Sequence, residues 1–235
     1  MTLDQVMSEL AAKGSEATKK LWVKHGAKEP FFGVKIADLK PLQKKLKGDQ
    51  ELALKLYATG NSDAQYLAGL VADGAKMTPA QLDTWAASAS WNMISATIIP
   101  WVASEHPEGF ALASKWIDSP QEAVAVAGWK TLGALATIVP DSLLPLKPFT
   151  GLLDRVVKTM SGAPDDVRLA MNGFVIACGT YVAPLAERAI VTARKVGKVE
   201  ADIGDTACRI PDAESYILKC RRGAPVAPKR KTVRC

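Results

Sequence analysis

Cys208, Cys220 and Cys235 flank a run of basic residues near the end of the chain, an arrangement that invites a thiolate metal site. Zinc sites of that kind are built on close ligand pairs, whereas these thiols stand 12 and 15 residues apart. Only His25 and His106 could complete a set, so neither a metal nor another cofactor is expected. Neither His has a Ser or Cys nearby in a nucleophile motif, so triad hydrolysis has no support. No glycine-rich loop of the Walker or dinucleotide-binding form is present. With Cys178 the thiols number four in 235 residues. That is too few for a disulfide scaffold, and free thiols in a reducing cytoplasm are expected. Six tryptophans (22, 85, 91, 101, 116 and 129) could stack on bases, but apolar neighbours at helical spacing point to packing for most of them.

Charge is segregated. Residues 13–47 hold ten Lys against three acids (+7), and residues 219–235 hold seven bases and no acid (+7). Residues 48–218 carry 13 bases against 19 acids (−6), and residues 1–12 add −2, leaving +6 overall. Two basic segments on an acidic body attract a polyanion by releasing its counterions. The expected phosphate contacts are Lys24, Lys28, Lys35, Lys40, Lys44 and Lys45, with Lys219, Arg221, Arg222, Lys229, Arg230, Lys231 and Arg234 from the second segment.

The elements that must position these residues are helices. Thr2-Leu-Asp-Gln5 is a capping box, followed by Leu3, Val6, Met7 and Leu10 at helical spacing. A second helix runs from about Ser15 to His25 and stops at Gly26. A third carries Ile36, Leu39, Leu42 and Leu46 on one side, with Lys40, Lys44, Lys45 and Lys47 largely off it. Thr78-Pro79-Ala80-Gln81 and Ser119-Pro120-Gln121-Glu122 each read as a cap with Pro at the first helical position. Short turns at 59–63, 118–120 and 161–165 each precede a long Ala/Gly-rich helix, expected at Ala64–Ala72, Ala123–Thr137 and Val167–Cys178, with a similar one starting near Ser90. No segment alternates as a strand would. The expectation is an all-α chain of degenerate helix pairs, an α-solenoid domain over residues 1–218. The basic extension 219–235 has two Pro and no periodicity, and is expected to be extended or loosely ordered. No run approaches the ~18 apolar residues of a membrane span, and the acidic N-terminus does not read as a signal peptide. A cytoplasmic monomer is expected.

HGAKEPFFGVKIADLKPLQKKL (25–46), ELALKLYATGNSDAQYLAGLVAD (51–73) and the turn GDTACRIPDAESYI (204–217) resemble the HEAT-like DNA alkylation repair family, the AlkD-type alkylpurine DNA glycosylases. The resemblance is clear over roughly residues 15–105 and looser to about 195. It implies a solenoid of HEAT-like repeats cradling duplex DNA in a basic concave face, and metal-free excision of cationic N3- or N7-alkylated purines.

The family's chemistry uses a Trp followed four residues later by an Asp. The aromatic face attracts the cationic nucleoside, and the carboxylate stabilises the developing oxocarbenium charge. In ASWNMIS (89–95) Trp91 matches the Trp, but Ser95 occupies the Asp position. The family's Arg aligns with Val126, and its second Trp with Gly173. Asp118 and Glu122 read as helix ends and caps and not as substitutes for the Asp. The resemblance therefore implies a DNA-binding member with weak or no glycosylase activity. An active glycosylase with a rearranged site and a protein-binding scaffold stand as alternatives.

Overall fold

Thr2 shows how local sequence starts this fold. Its hydroxyl accepts from the Gln5 amide while the Gln5 side chain accepts from Thr2 N, closing the predicted capping box of α1 (Leu3–Lys13). Ser15 caps α2 (Glu16–Lys24) through the Thr18 amide, and Gly26 leaves that helix at φ +89°. Thr78, Pro79 and Gln81 form the second predicted box, at the head of α6 (Pro79–Ala87). The third device differs from expectation. Helix α9 (Glu122–Ile138) begins after Pro120, and the Ser119 hydroxyl accepts the Gln121 amide in a tight turn. A residue outside the turn sets it: Arg155 Nη1 lies 2.7 Å from Asp118 Oδ1, and its Nη2 donates to Ile117 O.

The computed structural model describes residues 1–204 and 208–234. All regular structure among them is helical, as the sequence predicts. The remaining α-helices are α3 (Ile36–Lys45), α4 (Gln50–Ala58), α5 (Ser62–Val71), α7 (Ile99–Ala103), α8 (Gly109–Trp116), α10 (Leu146–Thr159), α11 (Asp165–Tyr181), α12 (Ala186–Val196) and α13 (Ala213–Arg221). The long second helices expected after the turns are α5, α9 and α11, each starting one or two residues earlier than predicted. No single described helix is long and apolar enough to cross a membrane.

The chain divides into two compact units, one built mainly on Met1–Glu108 and the other on Gly109–Asp202 with the C-terminal residues. In the first, every residue of α5 is buried, and Leu39, Leu42, Leu56 and Leu67 pack fully out of water. Gln65, a buried polar residue, has partners for both ends of its amide. Gln65 donates to Ser88 O and accepts the Ser90 amide, which pins the turn before Trp91.

In the second unit α9 packs along α8 and α11. Gly128 permits that approach: a Cβ there would lie 2.9 Å from Ala113 O and 2.8 Å from Ile117 N. Trp129, Phe149 and Phe174 form the aromatic core beneath. Position 218 lies inside α13. The residues beyond that helix are extended, as expected, but they are docked and not loose. Ala227 N donates to Thr180 O, Arg230 N to Thr137 O, and Lys229 Nζ to Ala136 O at 2.8 Å. These acceptors are the orphan carbonyls at the C-terminal ends of α9 and α11, where the helix dipole also favours a cation.

Candidate nucleic-acid interface and the Trp91 site

The first basic segment occupies α2, α3 and the loop between them. That loop is held by one buried carboxylate: Asp63 accepts from the amides of Phe32 (2.5 Å), Gly33 (3.1 Å) and Val34 (2.8 Å). Burial pushes the Asp63 carboxyl above the ordinary range, and the three amides and Lys19 oppose that. Gly33, at φ +77°, sits where a Cβ would meet Ser15 O and Lys19 N below 3.0 Å, so the loop lies tight on α2. Lys24, Lys28, Lys35, Lys44 and Lys45 are exposed and Lys40 is half-buried. Lys40 and Lys44 share one stripe of α3, away from the buried Leu39 and Leu42, and Lys47 follows in the turn after the helix. Lys45 turns to Glu9 of α1 at 3.4 Å.

The second segment splits into two groups. Arg221 is buried: its Nε donates to Gly179 O and its Nη2 to Ala186 O, so it ties α11 to α12. Lys229 is committed to Ala136 O and to Asp141, 2.8 Å away. These two, expected as phosphate contacts, sit instead as interior supports, because helix-end carbonyls offer a guanidinium or ammonium a partner inside the fold. Lys219, Arg222, Arg230 and Lys231 are exposed, and Arg234 is half-buried.

The loop that Asp63 holds also shapes the surroundings of Trp91. It directs Phe31 inward, where Trp22 stacks on it with ring centroids 6.1 Å apart, and Lys19 Nζ lies 5.6 Å over the Phe31 ring. Trp22 in turn lies against Trp91 at 5.6 Å. Trp91 keeps only 7% of its surface exposed, and its indole N–H has no acceptor among the described residues. It belongs to an aromatic cluster and presents no open face to a base.

Ser95 is 1% exposed and donates to Asn92 O at 3.2 Å. It lies in a π-helical stretch, Ile94–Ile98, where the Ile99 amide reaches back five residues to Ile94 O. Pro100, lacking an amide, follows directly. Asp63, Asp118 and Glu122 do not replace the missing carboxylate. Asp63 is committed to its loop, Asp118 pairs with Arg155, and Glu122 stands in the first turn of α9.

Val126 is buried in α9. Gly173 on α11 borders open space, and a Cβ there would meet only Lys130 Nζ, at 3.6 Å. Sequence reasoning passed over Lys130, although it is the only base in the 17 residues of α9. Burial holds its ammonium below the ordinary lysine range, with Asp166 opposing. Among the described residues no three His, Cys, Asp or Glu converge as metal ligands. Cys178, Cys208 and Cys220 form no disulfide among the described residues, and burial pushes the Cys178 thiol up. Cys235, and residues 205–207 of the turn at 204–217, lie outside the described residues.

A family model described as DNA alkylation repair enzyme matches residues 6–201. The uncharacterized protein Lin0241 of Listeria innocua serovar 6a is 34% identical over 227 residues, covering 94% of this chain and 98% of its own length. The uncharacterized protein Lmo0209 of Listeria monocytogenes serovar 1/2a matches with the same identity and coverage. A solved structure described as "a new family of proteins related to the HEAT-like repeat DNA glycosylases with affinity for branched DNA structures" superposes with a TM-score of 0.90 at 36% identity, both chains covered in full. The helical pairs are thus those of a HEAT-like repeat fold.

Proposed function

Because the chain belongs to the DNA alkylation repair enzyme family, we propose that it is a DNA-binding member that contacts phosphates as a monomer and excises alkylated bases weakly or not at all. The observation that carries this reading is the closed Trp91 cluster. Trp22 covers the ring that would receive a cationic base, and Ser95 stands without charge where the family has its carboxylate. Losing one well-placed electrostatic group commonly costs on the order of 10²–10³ in rate, and here the stacking face is lost as well.

Binding has different needs. Lys24, Lys28, Lys35, Lys40, Lys44, Lys45, Lys219, Arg222, Arg230, Lys231 and Arg234 are the proposed phosphate contacts, each exposed or half-buried. Branched DNA is the proposed preferred form, because the structural relative is described as having affinity for it. Gel-shift titrations with a four-way junction, a three-way junction and a linear duplex of equal length test this. Tighter binding to the junctions supports the proposal, and binding to none of the three removes it.

A further inference from the structure

Lys130 presents an arrangement that packing does not explain. Its side chain leaves a helix whose only other charged residue is Glu122 in the first turn, is half-buried, and makes no hydrogen bond or ion pair among the described residues. A methionine would fill the same volume without the desolvation cost of an unpaired ammonium. Gly173 leaves room beside the nitrogen, since apart from its own helix backbone and chain neighbours no other atom lies within 4 Å of where its Cβ would be. Asp166, two turns earlier on the same face of α11, is the acid whose field reaches the nitrogen.

An amine held partly out of water spends more time neutral than an exposed lysine, and only the neutral amine is a nucleophile. Intact DNA offers it no suitable electrophile. An abasic site does, because its ring-opened sugar carries a free aldehyde.

We propose that Lys130 forms an imine with the C1′ aldehyde of an abasic site in bound DNA, in the space that Gly173 leaves open. The proposal rests on the DNA-binding reading above. The Nζ lone pair adds to the carbonyl carbon, the carbinolamine is protonated on oxygen, and water leaves as the C=N bond forms. No oxidant or reductant takes part. Hydrolysis reverses the step and returns both the amine and the aldehyde.

The test uses the full chain with a three-way junction carrying one abasic site, in the presence of sodium borohydride, which reduces an imine to a stable secondary amine. Binding is measured in parallel without borohydride. The expected result is a covalent complex whose cross-linked peptide maps to Lys130. Lys130→Arg keeps the charge but cannot form the imine, so its yield should fall by about tenfold or more while junction binding is retained. The wild-type peptide map stands alone should that variant fold poorly. Binding without an adduct, or an adduct mapped to other lysines, overturns the proposal and leaves the DNA-binding reading standing. Absence of binding to any DNA overturns both.

Discussion

Ser95 and Lys130 make opposite demands on their surroundings, and both are testable by substitution. Ser95 is fully buried between Ile94 and Ile98 in a π-helical stretch, its hydroxyl satisfied by Asn92 O. Ser95→Asp would place an unpaired carboxylate there, and a loss of about 2–4 kcal/mol in stability is expected. No excision activity should return, because Trp22 still covers Trp91. A urea melt and a base-release assay on the same preparation check both points. An active, stable variant would show that the pocket opens. At Lys130, burial lowers the folded-state pKa, while the unfolded chain titrates near about 10.4. Between those values the folded state binds fewer protons, so stability rises with pH through that window, and the penalty is fully present at lower pH. Lys130→Met should be more stable than the native chain at pH 7, with the difference shrinking toward pH 10. Parallel denaturation curves that show a constant difference across that range would contradict this.

At the scale of elements, the helix ends decide what the sequence could reveal. Thr2 with Gln5, and Thr78 with Pro79 and Gln81, are legible because a capping box is closed within four residues. Ser119-Pro120 looks the same, yet its turn is set by Arg155, 36 positions after Ser119. The docking of the C-terminal residues was equally illegible, since its acceptors are the backbone carbonyls of Ala136, Thr137 and Thr180, which carry no side-chain signature. Trp91 could be picked out in the sequence, but its cover could not, because Phe31 is aimed by Asp63, 32 residues away. Two changes follow at this scale. Gly128→Ala forces a methyl within 3.0 Å of α8 backbone and should cost about 1–3 kcal/mol by thermal or urea unfolding. Deleting residues 224–235 uncaps α9 and α11 and should likewise lower stability by about 1–3 kcal/mol. An unchanged midpoint in the truncated chain would mean that the docked segment contributes little.

For the molecule as a whole, that docking dictates how DNA contacts must be counted. Truncation would mix lost charge with lost structure, so single Lys→Gln changes at exposed positions such as Lys24, Lys44 and Lys231 are the cleaner probe. Each true phosphate contact removed should reduce the slope of log affinity against log salt by about 0.9. Lys229→Gln should act mainly on stability, because its ammonium is held by Ala136 O and Asp141. The proposed function is DNA binding that persists where excision chemistry has been dismantled. It is tested most directly by a single-turnover assay on DNA carrying N7-methylguanine, under conditions where gel shift shows the substrate fully bound. The expected result is release of base no faster than from the same DNA without protein. Release far above that background would contradict it.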